Sequence, residues 1–566
     1  MRSYDGLPYH LKSAFLYLCI FPEDHRIRWG RLVRRWIAEG YSRDMHGMTA
    51  EELGRSHFNE LLDRSMILPG EGVNYYSGQI KSCQLHDIIH EICISKAREE
   101  NLVFTLEEGV CLSSTQGAIR HLVIGSNWKR DKYVLESMLD LSHVRSLTVF
   151  GEWRPFFISD KMRFLQVLDL EDTRGLRDHH LDQIGQLRHL MYLSLRGCMN
   201  IFCLPDSLGN LRHLQTLDVR GTHIFELPAT IAKLRRLQHL RTTYLMKITG
   251  NVEGEDDIFD KLTTLVRKFC LLLLYTPPLL LRPQVLDAGL NMHDIINVLR
   301  LAMLCLAETG YFWNDLVYGV EVPRGIGKLK ALYTLGVVNV ARSKGKAILK
   351  ELKELTQLRK LRVVGMPRKD SKEFWCAIAS HNQLGSPSVR SDKNALLDDS
   401  LGQALSPPSC LESLKLCGRL VRVTSWIHQL QNLCKLTLEY SMLQQDDAIQ
   451  ALGVLPNLAV LRLKQRSVYM KQLLFRGSSF PSLVVLELFG VRWLEWVLFG
   501  EEAMPRLELL QVDQCRELKK VYGLPVLTSL REIRRGGQDY FEMIELKDGV
   551  RMQVAEHLKH VRVTRF

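Results

Sequence analysis

Two histidines four residues apart, in the run His86-Asp87-Ile88-Ile89-His90-Glu91, come nearest to a catalytic motif in this 566-residue chain. On a helix, positions i and i+4 share a face, and two imidazoles so placed can hold zinc. Hydrolysis at such a site needs a glutamate directly after the first histidine as general base, and a third ligand downstream. Asp87 takes the place of that glutamate and no third ligand stands out, so no metal site is expected. Nucleotide hydrolysis is not expected either. No Gly-x-x-x-x-Gly-Lys-Ser/Thr loop occurs, and the nearest fragments, Gly325-Ile326-Gly327-Lys328-Leu329 and Gly345-Lys346-Ala347, lack its spacing and its metal-binding hydroxyl. The expectation is a chain that is not an enzyme, with no catalytic residue and no cofactor of its own.

Arg28, Arg31, Arg34 and Arg35 form the other chemically pointed cluster. They lie largely opposite the apolar stripe Trp29, Leu32, Val33, Trp36 and Ile37, which has the spacing of one amphipathic helix. A basic helix of this kind can enter a DNA groove. No basic wing accompanies it around residues 70 to 80, so a solvated basic face packing against another domain is the preferred reading and no DNA partner is expected. The formal net charge of +12 is compatible with acidic partners, but Lys and Arg on a solvated convex face account for it equally simply.

The elements that would carry these residues are of two kinds. From about residue 119 the phrase Leu-x-x-Leu-x-x-Leu-x-Leu recurs, as in Leu187-Leu190-Leu193-Leu195 and Leu430-Leu433-Leu436-Leu438. Its second leucine gives the anchors Leu165, Leu190, Leu214 and Leu237, spaced 25, 24 and 23, and later Leu411, Leu433, Leu458, Leu483 and Leu507, spaced 22, 25, 25 and 24. A period in the twenties with this phrase predicts an α/β leucine-rich repeat solenoid, a parallel-sheet horseshoe in which each unit is stable only against its neighbours. Regularity lapses from about 241 to 325, and the 95 residues between anchors Leu237 and Leu332 fit either degenerate repeats or an insertion. Pro387 replaces a strand leucine, which predicts a locally irregular rung. Cys198, Cys515, Thr173 and Thr222 stand three residues after the last apolar strand position and are expected to pack in turns, the cysteines reduced.

Residues 1–110 lack the repeat and read as an α+β unit. Gly40 is placed to end the basic helix, and Thr49-Ala50-Glu51-Glu52 has the form of a capping box. Two short strands, around Met66-Ile67-Leu68 and Ser82-Cys83-Gln84-Leu85, and a helix from Asp87 towards Arg98 complete a winged-helix pattern. The expected organisation is therefore a winged helix over 1–110 and a solenoid over 111–566, with the irregular or inserted stretch inside the latter.

A solenoid's ligand surface is most plausibly its concave strand positions, here Tyr192, Arg196, Asp218, Arg220, Lys360, Arg362, Lys435, Glu439, Arg462 and Lys464. The start, Met-Arg-Ser-Tyr-Asp-Gly-Leu-Pro, has no secretory signal, and the apolar run Phe269 to Leu281 is 13 residues and too short to span a bilayer. No integral membrane segment is expected, and the reading is a cytoplasmic protein, with the plasma-membrane surface or the nucleus as alternatives.

Several segments of the first hundred residues make a specific match. Leu7-Pro8-Tyr9-His10-Leu11-Lys12, Phe15-Leu16-Tyr17-Leu18-Cys19-Ile20-Phe21-Pro22-Glu23-Asp24 and Trp36-Ile37-Ala38-Glu39-Gly40 resemble the winged helix of plant coiled-coil-class nucleotide-binding leucine-rich-repeat (NLR) immune receptors. Leu85-His86-Asp87 stands where that family carries Met-His-Asp, with Leu85 departing from the family's methionine. The resemblance covers essentially the whole chain, the repeats standing for the family's sensor. It implies that His86 contacts an ADP phosphate, with Asp87 orienting the motif, provided a nucleotide-binding module is supplied upstream or in trans. ADP or ATP would then be the only cofactor. It also implies a role in innate immunity and the hypersensitive response, with a pathogen effector or guarded host protein as partner. The nucleotide-binding module of an NLR is the second implied partner. Because the family's phosphate loop is not found in these residues, the chain reads as a truncated, carboxyl-terminal portion of such a receptor. The competing readings are a winged-helix nucleic-acid-binding protein and a generic leucine-rich adaptor.

Overall fold

The computed structural model describes residues 2–45, 47–70, 79–107, 119–248, 313–341, 345–391, 397, 410–420, 427–444, 446–536 and 561–565. Helices α1 (Arg2–Asp5), α2 (Tyr9–Leu16), α3 (Trp29–Glu39), α4 (Ala50–Asp63) and α5 (Asp87–Glu99) surround a small antiparallel sheet. Its strands are β1 (Ile27–Arg28), β2 (Leu68–Pro69) and β3 (Ser82–Gln84), in the order β1-β3-β2. Of the two expected strands, the second is present at Ser82–Gln84, whereas the first is displaced to Leu68–Pro69, with Met66 and Ile67 buried ahead of it; β1 is not expected from the sequence, because two residues are too few to show an alternating pattern.

The local signals act as their chemistry requires. Leu32, Val33 and Trp36 are wholly buried, and α3 ends at Gly40, whose φ of 81° is left-handed. Thr49 caps α4 by accepting from the Glu52 N–H, while Glu52 accepts from the Thr49 N–H at 2.8 Å. Helix α4 then crosses α3 closely at Gly54, where an added Cβ would lie 2.7 Å from Val33 Cγ1. The stretch where a basic wing was sought falls largely on residues 71–78, outside the described residues.

A 17-stranded parallel sheet runs through the rest of the described chain. It starts with β4 (Val103–Leu106), β5 (His121–Ile124), β6 (Ser146–Val149), β7 (Val167–Asp169), β8 (Tyr192–Ser194) and β9 (Thr216–Arg220), each hydrogen-bonded to the next. It continues to a last strand at Arg562–Arg565. Strand β4 precedes the first recognisable repeat because Val-Phe-Thr-Leu lacks the leucine phrase. The expected boundary at 110/111 lies among residues 108–118, outside the described residues.

Anchors Leu165, Leu190, Leu214, Leu237, Leu433, Leu458, Leu483 and Leu507 are all completely buried in one continuous core. Each contributes roughly 1.5–3 kcal/mol of burial. Turn residues close the rungs. Thr173 Oγ1 donates to the Val149 carbonyl at 3.1 Å, Thr222 Oγ1 to Val219 at 2.7 Å, and Cys198 Sγ to Leu170 at 3.0 Å. Cys515 is buried in the equivalent place, its Sγ 3.7 Å from the Leu488 carbonyl. Pro387 is buried in the Ser386–Ser391 strand, and the register with the preceding strand shifts between Val363 and Met366.

His239 and Leu240 pair in register with Thr334 and Leu335. The rungs of Leu237 and Leu332 are thus direct neighbours in the sheet, joined across the 95-residue interval without a full rung between them. A second compact unit is assigned to Leu245–Tyr318; its described part is the end of the His239–Ile248 strand and a strand at Trp313–Tyr318. The acidic, leucine-rich and helix-like runs noted within 241–325 lie outside the described residues, as does Leu558 of the closing phrase.

Candidate functional site

Alternation along each strand sends one set of side chains into the leucine core and the other to the opposite face. On that opposite face Val167 and Tyr192 pack with Ala38 of α3 in a cluster of their own. The winged helix therefore sits on the sheet face that the concave candidates occupy, and the arginines of α3 are what meets it.

Asp169, fully buried at the end of β7, accepts from Arg31 Nε at 2.8 Å and from Arg35 Nη1 at 2.6 Å. Arg35 is itself fully buried; its Nε donates to Tyr17 Oη at 2.8 Å and its Nη2 to Thr148 Oγ1 at 2.6 Å. Two residues beyond Asp169, Glu171 pairs with Arg28, Arg31 and Arg196. Burial pushes the Asp169 carboxyl up, but Arg31 and Arg35 more than offset this and hold it below the usual carboxylate range. The basic face does pack against another unit, as preferred, but it is desolvated there and neutralised by carboxylates. Two buried guanidiniums satisfied by one fixed carboxylate form a clasp, since removing either side strands a charge in low dielectric.

A second pair lies beside it. Glu39, at the end of α3, has a buried carboxylate with no hydrogen-bond partner, 3.6 Å from His121 Nδ1 on β5. Burial pushes Glu39 up to about 7 against the pull of Arg35, Arg120 and Arg145, and burial together with Arg120, Arg35 and Arg145 keeps His121 neutral well below its ordinary value. His121 Nε2 and Tyr41 Oη are 2.8 Å apart. Neither the clasp nor this pair was found from sequence. The arginines were visible, but Asp169 and His121 look like ordinary strand residues.

The proposed surface residues separate into two groups. Tyr192 is buried beneath α3. Arg196 donates to Glu171 at 3.0 Å, and Asp218 is buried and gripped by Arg220 through Nε at 2.8 Å and Nη2 at 2.6 Å. These four serve the region next to the winged helix. Lys360 and Arg362 are exposed. Glu439 pairs with Arg390 at 2.9 Å and Lys415 at 2.6 Å, and Glu487 pairs with Arg462 and with Lys464 at 2.6 Å. Lys435 is pushed down to about 8 by burial, then by the charges of Arg462, Lys81 and Lys464.

Leu85, His86 and Asp87 stand at the start of α5. Leu85 is buried in the winged-helix core, whereas His86 and Asp87 are exposed. His86 is the N-cap, its Nδ1 3.4 Å from the Ile88 N–H. An anchored leucine thus presents an exposed imidazole at the N-terminus of a helix, where the backbone N–H groups and the helix dipole favour an anion. His90 is turned inward with Nε2 2.9 Å from the Phe21 carbonyl, so the two histidines do not form a ligand pair. The glycine fragment at 325–327 is also occupied: the Glu351 carboxylate accepts from the Gly325 N–H at 2.8 Å and the Gly327 N–H at 3.0 Å.

Comparison with known proteins places these features. The family described as leucine-rich repeat region matches residues 143–265 and 295–563, and the disease resistance protein winged helix domain matches residues 20–93. The chain belongs to the leucine-rich repeat family, in the form in which a disease-resistance winged helix precedes the repeats. Disease resistance protein Pik-2 of Oryza sativa subsp. japonica is 29% identical over 96% of this chain and 51% of its own length. Disease resistance protein RPP8 of Arabidopsis thaliana is 26% identical over 96% of this chain and 54% of its own length. The chain spans about half the length of the curated relatives it matches, and corresponds to their winged-helix and repeat portion. Among solved structures, a leucine-rich repeat protein of Leptospira interrogans aligns with a TM-score of 0.42 at 17% identity, covering 78% of this chain and 95% of its own. No helix among the described residues is long and apolar enough to cross a membrane.

Proposed function

We propose that the chain is the regulatory and sensing portion of an NLR receptor in plant innate immunity. Its sheet recognises a pathogen effector or a guarded host protein, and its winged helix transmits that event to a nucleotide-binding module. The chain does no catalysis itself, and works in the cytoplasm. ADP or ATP enters only through the module, where His86 reads a phosphate and Asp87 orients it.

The observation that carries this reading is the clasp of Arg31 and Arg35 on Asp169. It makes the winged helix and the recognition sheet one mechanical body, so a partner bound to the sheet acts directly on α3. A DNA-binding role is disfavoured by the same contacts, because Arg31 and Arg35 are already spent on a buried carboxylate.

The test is to join the chain to the nucleotide-binding module of a disease resistance relative and express it in leaf tissue with a panel of effectors. The expected result is a protein silent alone and triggering cell death with one effector. A fusion that never binds an effector or host protein, and whose nucleotide occupancy ignores Asp169→Asn, would sink the proposal.

A further inference from the structure

Two side chains precede each anchor leucine, where the chain turns into the strand. The first of them is Arg163, Arg188, Arg212 and Arg235 ahead of Leu165, Leu190, Leu214 and Leu237, and all four are exposed. The second is Phe164, His189, His213 and Arg236, exposed as well. Successive rungs stack directly here, the N–H groups of Met191, Gln215 and Gln238 donating at 2.8 Å to the carbonyls of Gln166, Met191 and Gln215. The inner row follows that stacking. Ring centroids are 5.8 Å apart for Phe164 and His189 and 6.2 Å for His189 and His213, and Arg236 Nη1 lies 3.2 Å from His213 Nδ1. The outer arginines form a parallel row, because each leaves the backbone in the same way. The N–H groups of Arg163, Arg188, Arg212 and Arg235 donate to the carbonyls of Lys161, Gln186, Asn210 and Lys233, at 2.8–2.9 Å.

Strand spacing sets the backbone of this row about 5 Å apart from rung to rung, and like charges so placed repel. Among the described residues no carboxylate comes within ion-pair distance of Arg163, Arg188, Arg212, Arg235 or Arg236. One rung on, Lys330 is neutralised by Glu354 at 2.7 Å. The turn itself asks for no cation. Leu187, Leu211 and Leu234, each just before an arginine of the row, have φ of −78° to −79° and ψ of 61° to 66°. Leu527 takes the same shape, at −82° and 74°, ahead of Thr528. Gln431 also repeats the arginines' backbone bond, to Gln429 at 2.9 Å. The fold thus accepts a neutral side chain at this place, and the counter-charge of the row lies outside the described residues.

We propose that this edge of the repeats lies against an anionic phospholipid surface, the arginine row meeting headgroup phosphates and carboxylates. Phe164, 58% exposed at one end of the inner row, enters the boundary between headgroups and acyl chains. The row is exposed along its whole length, and Arg163, Arg188 and Arg212 hydrogen-bond to no described residue. Fluid headgroups can move to meet unfixed guanidiniums, whereas a folded partner binds tightly only to groups already held in place. A basic strip with one aromatic is a single membrane signal, so the contact is reversible. It uses neither the concave strand positions nor a nucleotide, and so stands apart from effector recognition.

Cosedimentation of the whole chain with phosphatidylcholine vesicles, with and without about one-quarter phosphatidylserine at about 100 mM salt, tests it. The expected result is binding to the anionic vesicles and none to the neutral ones. Each cation near such a surface strengthens binding by about fivefold, so Arg188→Gln/Arg212→Gln should weaken it at least about tenfold. Lys519→Gln/Lys520→Gln, which removes the same charge from another rung, should change it by less than about twofold. Circular dichroism should show both variants folded, since all four side chains are exposed. No binding to either vesicle, equal binding to both, or equal loss in the two variants would overturn the proposal. So would a DNA or RNA strand that strips the chain from the vesicles at matched phosphate concentration, which would make the row a nucleic-acid surface.

Discussion

Asp169 and Arg35, separated by 134 residues in the chain, meet at 2.6 Å in a site where neither side chain touches solvent. Arg31 bonds the same carboxylate oxygen through Nε at 2.8 Å. The site's energetic weight lies in what remains when one member is lost, since an unpaired buried charge costs more than the pair contributes.

Replacing Asp169 by alanine should therefore lower stability by about 3–5 kcal/mol, the usual cost of breaking a buried pair. Replacing Arg28, which is partly exposed, should cost about 1 kcal/mol or less. Urea unfolding of the two variants measures both; equal losses would show that the clasp is not special.

Glu39→Gln should change stability in a pH-dependent way. The folded-state pKa of about 7 lies above the ordinary glutamate value, so the stabilising contribution is complete below about pH 4.5 and is lost as pH rises through 7. The neutral glutamine should leave stability nearly unchanged at pH 5 and raise it at pH 8 by an amount of order 3 kcal/mol, seen as a higher melting temperature there. His121 works in the opposite direction, its neutral form losing stability as pH falls below about 6.5, but it is common to both proteins and cancels in the comparison. A variant less stable than the parent at pH 8 would contradict this.

Gly54→Ala should destabilise the winged helix although alanine favours a helix by about 1 kcal/mol. The new Cβ would meet Val33 Cγ1 at 2.7 Å, and Val33 is wholly buried with no room to retreat. Combining it with Val33→Ala should restore part of the loss, which thermal melts of the three proteins would reveal.

His86→Ala should leave the fold intact, losing about 1 kcal/mol at most for a long N-cap contact. It should nevertheless weaken ADP retention when a nucleotide-binding module is supplied. Retention unchanged by the substitution would remove His86 from the phosphate site.

Much of the architecture was legible because it rests on short-range chemistry. The leucine phrase marks which side chains must leave water, Thr49 and Glu52 cap each other within one turn, and Gly40 supplies a conformation other residues resist. The inward turn of His90 was less visible, since helical spacing alone puts it on the same face as His86 and only the Phe21 carbonyl decides otherwise.

The linear sequence by itself determined the repeats, their period and the amphipathic basic helix, because each follows from neighbours along the chain. Tertiary structure alone decided that α3 lies on the sheet, that Asp169 and Glu171 neutralise its arginines, and that Tyr192 is covered while Lys360 and Arg362 are not. The physical reason is that a charged or aromatic strand residue has the same signature whether water or a distant helix completes its environment. Only packing supplies the partner, and with it the sign and size of the energy.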